Sequence, residues 1–526
     1  MSSASTNTAV SEAESAESAA AEKRSYGQIL KSSAMIGGSQ ALAVAIGVVR
    51  TKIMALLLGP SGFGLAGLYG SIIDVAVNAA GLGVTSSGVR QIAEAVGSGD
   101  TGRIARTAAV LRRTSMLLGM LGAVLLAVFS MQVSTLTFGD AQRAAGVSLL
   151  SLAVLFRLVS AGQGALIQGM RRISDLALIG VMGALFGTIS TIALVYWLEE
   201  DGIVPSLVAV AATTIITSWW YSRKIQLPQP SFTASEIKCE TAALLKLGFV
   251  FMCSNLMGVG SAYVVRIIVL RQLGLQATGL YQTAWTLGGL YVGFILQAMG
   301  ADFYPRLVAH ASNSITCNRL VNEQTRIGLL LAGPGVVATI AFAPMVLVLF
   351  YGSAFGEAIG VLRWICLGVM LRLISWPMSF VFLARGKKGL AVGSDLAWTI
   401  VHLGLAWISV GLFGLQGAGA AFFGSYAFHV ILVYVLLRRL CGFRWSRENQ
   451  TTAIILLSLT SVVFLLTQTV QLGWALYVVG SLAVGVTTVY SVRALVPLAC
   501  SEPSATACPE LTRRVQLWLR RLANVV

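Results

Sequence analysis

The chain has 526 residues, of which 56% are hydrophobic and only 11% are charged, and its mean hydropathy is +0.80. Soluble domains have about 25% charged residues, so this composition excludes an ordinary soluble protein and indicates a membrane protein. The net charge of +16 lies mainly in the connections between apolar segments, where membrane topology requires it, so we expect no nucleic-acid partner.

The chain begins with a tail rich in Ser, Ala and Glu, which predicts disorder over residues 1–25. About fourteen apolar segments follow, each long enough to cross a bilayer about 30 Å thick. These segments are 30–57, 63–88, 107–130, 143–168, 174–197, 203–221, 244–270, 277–300, 326–350, 358–383, 388–412, 416–437, 451–469 and 473–495. The sequence therefore predicts an all-α polytopic membrane protein.

Lys and Arg gather in every second connection and are nearly absent from the others. Under the positive-inside rule, the basic connections lie in the cytoplasm. This pattern predicts a multi-pass protein of the cell inner (plasma) membrane with both termini in the cytoplasm.

A short motif occurs twice, as LGPSGFGL at residues 58–65 and as LGLQATGL at residues 273–280. Each copy lies between the first and second helix of a block of six helices. Because six is even, the two blocks have the same orientation, which predicts two parallel lobes with the substrate path between them.

The predicted organisation has six parts in chain order. They are a disordered cytoplasmic tail (1–25), an N-lobe of helices 1 to 6 (26–221), a cytoplasmic linker (222–243), a C-lobe of helices 7 to 12 (244–440), helices 13 and 14 (441–498) and a basic amphipathic tail on the cytoplasmic surface (499–526).

Charged side chains inside membrane helices are costly and usually face a cavity or a partner. Five of the cations inside the apolar segments are candidates for substrate binding: Arg50, Lys52, Arg157, Arg266 and Arg372. Arg50 and Arg266 precede the repeat glycines Gly59 and Gly274 by nine and eight residues, so we expect both lobes to place a cation at nearly the same depth. The alternative is that these side chains snorkel to the outer interface.

Asp74 and Asn78 are one turn apart on the second helix and share a face. Asp74 is a candidate either for ion coupling or for an ion pair with an arginine. Arg90, Asp302 and Arg306 lie near the basic ends of the second and eighth helices and are candidates for a cytoplasmic gate, with a local salt bridge as the alternative.

The sequence does not indicate a metal centre or an ATPase. The seven cysteines include no CxxC pair, the three histidines are far apart, and no Walker A motif is present. We expect no metal, no cofactor and no enzymatic activity. The buried cations instead suit an anionic substrate, because arginine binds phosphate with two hydrogen bonds.

The segments LLGPSGFGLAGLYGS (57–71) and GVTSSGVRQIAEA (83–95) resemble the O-antigen translocases, the Wzx-type flippases of the polysaccharide transporter family. That family belongs to the multidrug/oligosaccharidyl-lipid/polysaccharide exporter superfamily, and the likeness covers roughly residues 26–440. The resemblance implies two six-helix lobes around a V-shaped central cavity. It also implies translocation of undecaprenyl-pyrophosphate-linked oligosaccharide from the cytoplasmic to the periplasmic leaflet.

The resemblance further implies membrane lipids, a coupling ion (H⁺ or Na⁺) and a polysaccharide polymerase or chain-length complex as partners. The two extra helices also resemble those of the lipid II flippases, which leaves lipid II as an alternative substrate. A multidrug or cation antiporter of the same superfamily is a second alternative, with Asp74 as the acidic residue that such a transporter needs. The short external connections disfavour an integral-membrane glycosyltransferase.

Overall fold

The computed structural model describes the backbone of residues 3–228, 234–469 and 473–500. It describes side chains from Gly38 to Val496, apart from 229–237, 470–473 and scattered positions between 247 and 302. All regular elements in this part of the chain are helical, so the predicted all-α fold is confirmed. The predicted tail 499–526 lies almost wholly outside the described residues, and the tail 1–25 stays a prediction.

Fifteen α-helices follow one another along the described chain. They are α1 (Ser3–Gly81), α2 (Val84–Gly97), α3 (Thr101–Val128), α4 (Ser130–Phe138), α5 (Ala144–Gly169), α6 (Ile173–Leu198), α7 (Ile203–Ser222), α8 (Ala234–Ala309), α9 (Ser314–Ala341), α10 (Ala343–Phe350), α11 (Ala358–Ala384), α12 (Lys388–Phe413), α13 (Leu415–Cys441), α14 (Arg447–Thr469) and α15 (Gly473–Cys500). Short 3₁₀ turns lie at Glu199–Gly202 and Ser353–Phe355.

Eleven segments of the described residues are long and apolar enough to cross a membrane. Three of them, Gly38–Gly81, Ile173–Ser222 and Phe251–Leu290, have 44, 50 and 40 residues, about twice the length that one crossing needs. Each of the three contains a break in the regular helix, where two crossings would meet. The chain is thus a multi-pass helical membrane protein, while the number of fourteen crossings stays a prediction.

The breaks in α1 and α8 fall on the equivalent glycines of the repeat. Gly59 has φ 63° and ψ −173°, and Gly274 has φ 89° and ψ 180°. Such positive φ values favour glycine, because in this backbone conformation a Cβ atom would clash with the neighbouring backbone. The motif therefore recurs because the chain must leave the helix at the same place in both blocks.

The repeat extends well beyond the motif. Helices α3 and α9 both have 28 residues, and α6 and α12 both have 26 residues. The first residues of these pairs are 213 and 215 positions apart, close to the spacing of the two motifs. The short helices α4 and α10, which the sequence analysis did not predict, also occupy equivalent places.

The chain divides into two compact units. Unit 1 consists of Met1–Leu57, Ile72–Leu136 and Asp140–Met252, and unit 2 consists of Leu58–Ser71, Thr137–Gly139 and Cys253–Val526. Each unit is therefore built mainly from one half of the chain, but two short segments of the first half belong to unit 2. The predicted lobe boundaries stay a prediction.

In unit 1, basic connections that are far apart in sequence lie at one end, here called the basic end. The Nη2 of Arg112, in α3, donates a hydrogen bond of 3.3 Å to the backbone oxygen of Ser222 at the end of α7. The Nε of Arg106 lies 4.0 Å from the carboxylate of Glu240 at the start of α8. Ile225, just after α7, is buried in a hydrophobic cluster with residues of α2, α3, α5 and α6.

Unit 2 has a basic end of its own. The Nη2 of Arg385, after α11, donates a hydrogen bond of 2.8 Å to Ser314 at the start of α9. Asn322, in α9, accepts a hydrogen bond of 2.8 Å from the backbone N–H of Ser446 and donates one of 3.1 Å to the backbone oxygen of Arg444. Within each unit the basic connections therefore lie together, as the charge alternation predicts.

The last two helices pack on the helices of unit 2. A Cβ added to Gly333 in α9 would lie 3.1 Å from Leu456 of α14. The ring of Phe342 stacks on that of Tyr477 in α15, with centroids 6.0 Å apart. These contacts bring α14 and α15 against α9, so the helix pair extends this unit.

Candidate functional site

The first candidate group lies in unit 1, where α1 and α5 bring two opposite charges together. The Nη1 of Arg157 lies 2.6 Å from the Oδ1 of Asp74, although 83 positions separate the two residues in the sequence. Asn78 donates a hydrogen bond of 2.8 Å to the backbone oxygen of Asp74, one turn earlier. Both side chains of the ion pair are nearly half exposed, at 43% for Arg157 and 47% for Asp74. The packing of the helices therefore buries neither side chain completely.

Two further cations of unit 1 lie in α1, well inside the apolar segment. Both Arg50 and Lys52 are half-buried. Among the residues that the structure describes, the Arg50 side chain forms no hydrogen bond or ion pair. A half-buried guanidinium in a membrane segment gains most from an anionic partner, because its loss of hydration is otherwise uncompensated. Arg50 is thus suited to bind an anion.

In unit 2, α8 buries the guanidinium of Arg266, which is only 7% exposed. Its Nε donates a hydrogen bond of 2.6 Å to the Oε1 of Gln282, and its Nη1 donates one of 2.8 Å to the backbone oxygen of Ala262. The guanidinium carbon lies 5.8 Å from the ring centroid of Trp285. The amide of Gln282 in turn donates to Thr286 over 3.2 Å. These contacts hold the guanidinium in one orientation.

The two copies of the motif pack against each other inside unit 2. A Cβ added to Gly64 would lie 2.7 Å from the backbone nitrogen of Gly279, its repeat equivalent. A Cβ added to Gly67 would lie 2.8 Å from the Cγ of Gln282, which is again its equivalent in the repeat. The glutamine that orients Arg266 therefore lies two residues after the second copy, and Gly67, two residues after the first copy, leaves room for it.

Arg372 lies in α11 and is half-buried, and within the described chain its side chain has no hydrogen bond or ion pair. It interacts electrostatically with the phenol of Tyr426, as does Asp395 of α12. The Asp395 carboxylate accepts a hydrogen bond from Ser254 of α8. The structure therefore places Arg372 beside a polar group formed by three other helices.

An aromatic layer connects the surroundings of Arg266 with those of Arg372. Trp285 contacts Phe422 with ring centroids 5.3 Å apart, and Phe422 contacts Tyr426 at 4.9 Å. His402 is fully buried and stacks on Trp398 at 5.1 Å. Sequence analysis did not single out Gln282, Trp285 or Tyr426. Only Gln282 had a signal that could have been used, its position in the repeat.

The two gate candidates with described side chains, Arg90 and Arg306, belong to different units. Arg90 is exposed on α2 and forms a local ion pair of 2.8 Å with Glu94. Arg306 is exposed on α8, and its backbone oxygen lies 3.0 Å from the Nδ1 of His310. The side chain of Asp302 lies outside the described residues. The cytoplasmic gate stays a prediction.

The described residues contain no group of three or more His, Cys, Asp or Glu side chains that could hold a metal ion. The polar groups described above therefore consist of arginines, amides, hydroxyls and single carboxylates.

A protein-family model described as polysaccharide biosynthesis protein matches residues 53–360. No curated protein matches the sequence of this chain. The matched residues 53–360 include both copies of the motif and two of the five candidate cations, Arg157 and Arg266. Lys52 lies one residue before the match, and Arg50 and Arg372 also lie outside it.

Several solved structures have a similar fold. An inward-facing multidrug resistance MATE family transporter of the MOP superfamily has a TM-score of 0.61 and 19% sequence identity, over 76% of this chain and 94% of that chain. The lipid II flippase MurJ, in an inward closed conformation, has a TM-score of 0.63 and 13% identity, over 88% of this chain and 99% of that chain. A MOP superfamily transporter from Pyrococcus furiosus has a TM-score of 0.57 and 17% identity, over 78% of this chain and 96% of that chain. At these identities the likeness shows the fold alone, which is that of MOP superfamily transporters.

Proposed function

Because the chain belongs to the polysaccharide biosynthesis protein family, we propose that it is a flippase for undecaprenyl-pyrophosphate-linked oligosaccharide. The substrate would be an O-antigen unit or another polysaccharide repeat unit. It would move from the cytoplasmic to the periplasmic leaflet of the inner membrane by alternating access. In this proposal the chain is a transporter and not an enzyme.

The observation that supports this proposal best is the excess of cations inside apolar segments. Arg50 and Arg372 have no carboxylate at ion-pair distance among the described residues, and Arg266 is held by a glutamine oxygen, a backbone oxygen and a ring face. A pyrophosphate group offers several oxygens to such guanidinium groups, and each arginine can bind two of them. The sugar head does not cross the hydrocarbon unaided, because its polar groups would lose their hydration there.

The ion pair of unit 1 has a separate role in the proposed mechanism. A pyrophosphate that approaches Arg157 competes with Asp74 for the same guanidinium. The released carboxylate is then able to take H⁺ or Na⁺, which would couple the ion to the movement of the substrate. Asp74 and Arg157 would thus act together, with Asn78 holding the backbone beside them.

Lipid II is the second candidate substrate. The fold likeness to MurJ extends over 88% of this chain. Both substrates contain undecaprenyl pyrophosphate, so the candidate cations suit either one. A multidrug or cation antiporter fits the fold equally well, but its acidic candidate is engaged by Arg157 at 2.6 Å.

The proposal is tested by deleting the gene and analysing undecaprenyl-linked lipids by mass spectrometry. Accumulation of one complete repeat unit, reversed by the wild-type chain and not by Arg266→Ala, would support the flippase. Because Arg266 is buried, the test also includes the Arg266→Lys variant. Lysine retains the positive charge but does not form the two parallel hydrogen bonds of a guanidinium. The matched control is Arg319→Ala, since that side chain is 70% exposed and pairs locally with Glu323.

The other outcomes lead to different conclusions. Accumulation of lipid II would favour the second substrate. Unchanged lipids together with new sensitivity to cationic drugs would favour the antiporter. Normal export by an Arg266→Ala variant that is inserted at wild-type level would refute the role of this arginine. Co-purification with a polymerase or a chain-length protein would test the expected complex.

A further inference from the structure

The end of α7 combines aromatic and basic side chains at the basic end of unit 1. Trp219 and Trp220 are 51% and 48% exposed, although tryptophan is usually covered in a folded protein. The guanidinium carbon of Arg223 lies 4.7 Å from the ring centroid of Trp219 and 4.1 Å from that of Trp220. The Nζ of Lys224 lies 4.4 Å from the ring centroid of Tyr221. The cations are therefore held against ring faces directly after an apolar segment.

Stacking on a ring engages the face of a guanidinium and leaves its N–H edge available. Within the described chain, the side chains of Arg223 and Lys224 form no hydrogen bond and no ion pair. Their donors are therefore available for an anion. The rings also limit the rotamers of both side chains, so less conformational freedom is lost when an anion binds.

A third cation reaches the same place from another helix. Arg112 of α3 donates its hydrogen bond to Ser222, the last residue of α7, where the helix dipole is negative. The acidic residue Glu240 lies beside Arg106, with 4.0 Å between the charged atoms. Among the described residues, no carboxylate lies at ion-pair distance from Arg112, Arg223 or Lys224, so this surface has a local excess of three positive charges.

The neighbouring surface of α7 is apolar. Ile216 is 63% exposed and lies one turn before Trp219 and Trp220, so the three side chains share a face of the helix. A ligand that suits both parts has an anionic head and hydrocarbon chains. Exposed tryptophans at the end of a membrane helix lie at the level of the lipid headgroups.

We propose that Arg112, Trp219, Trp220, Arg223 and Lys224 form a binding site for an anionic glycerophospholipid. The phosphate lies against the three cations, and the acyl chains follow the exposed face of α7 past Ile216. The occupant is a bilayer lipid of the leaflet at the basic end, and not the transported substrate. This inference is independent of the proposed flippase activity.

The test measures lipid retention by the purified full-length chain with native mass spectrometry. The probes are phosphatidylglycerol and phosphatidylethanolamine with identical acyl chains, and undecaprenyl pyrophosphate as a third ligand. The test variants are Arg223→Gln with Lys224→Gln, and Arg112→Gln alone. The control is Arg319→Gln, an exposed arginine of unit 2.

We expect the wild-type chain to retain phosphatidylglycerol over phosphatidylethanolamine. Each removed charge should weaken phosphatidylglycerol binding about five-fold, and the control should leave it unchanged. Equal retention of the two phospholipids by the wild-type chain would overturn the proposal, as would wild-type retention by both test variants. If the test variants lost only undecaprenyl pyrophosphate, the surface would be assigned to the substrate, and the proposal would also be overturned.

Because the substituted side chains are exposed, the variants should elute and unfold like the wild-type chain. Should the double variant unfold early, Arg112→Gln decides the outcome, since it removes one charge and leaves the stacked cations in place.

Discussion

The contact between the two motif copies makes a sharp prediction for Gly64→Ala. The added Cβ would lie 2.7 Å from the backbone nitrogen of Gly279 and 2.7 Å from the backbone oxygen of Leu275. Ordinary van der Waals contact begins at 3.4 Å, so the two segments must separate by about 0.7 Å. Neither atom belongs to a side chain that is able to rotate away, so the backbone itself has to move.

The magnitude follows from two opposing effects. Overpacking of a tight contact costs about 1–3 kcal/mol, and backbone atoms place this contact near the upper limit. Alanine is more favourable than glycine in a helix by about 1 kcal/mol. We therefore expect Gly64→Ala to lower the free energy of unfolding by about 2 kcal/mol.

Gly70→Ala is the matched control. Gly70 lies in the same helix, six residues later, and a Cβ added there meets no heavy atom within 4 Å. This variant should be as stable as the wild-type chain or slightly more stable, since only the helix propensity changes. The assay is thermal unfolding of the purified full-length chain in one detergent, followed by tryptophan fluorescence. Equal midpoints for Gly64→Ala and Gly70→Ala would refute the close approach of the two motifs.

Three further predictions concern the breaks, the ion pair and the last helices. Gly59→Ala and Gly274→Ala should each lower the free energy of unfolding by about 1–2 kcal/mol, because both glycines have positive φ; unchanged thermal midpoints would contradict this. Asp74→Asn should reduce oligosaccharide export with little loss of folded protein. The variant that exchanges Asp74 and Arg157 should not restore export in a lipid-accumulation assay, and restored export would show that the pair is purely structural. Asn322→Ala should lower the free energy of unfolding by about 1–3 kcal/mol, because it leaves the backbone N–H of Ser446, just before α14, without its acceptor. Limited proteolysis would check this prediction, since the last two helices should be cleaved earlier in the variant.

Sequence analysis predicted the properties that each segment has by itself. Partition into a bilayer depends on the hydrophobicity and length of a segment, and its orientation depends on flanking Lys and Arg. For this reason the all-helical fold and the grouping of basic connections were predictable. The repeat glycines were equally visible, since Gly59 and Gly274 are needed by the local backbone.

The short helices α4 and α10 were not predicted, because each lies beside a longer apolar segment and continues its pattern. The extent of the repeat was underestimated for a related reason. The two halves of the chain share the lengths and start positions of their helices, although most of the side chains at equivalent positions differ. Similarity of architecture is therefore visible only after the helices have been located.

Only the tertiary structure decided which groups meet. The partners Asp74 and Arg157 are 83 positions apart, and a side-chain acceptor of Arg266 is Gln282, two residues after the second copy of the motif. A change of one residue in register rotates a side chain by about 100° around a helix, so periodicity locates a charge in depth but not in direction. The sequence by itself thus determined that this chain crosses a membrane with cations inside it, and the packing of helices determined which of those cations have partners.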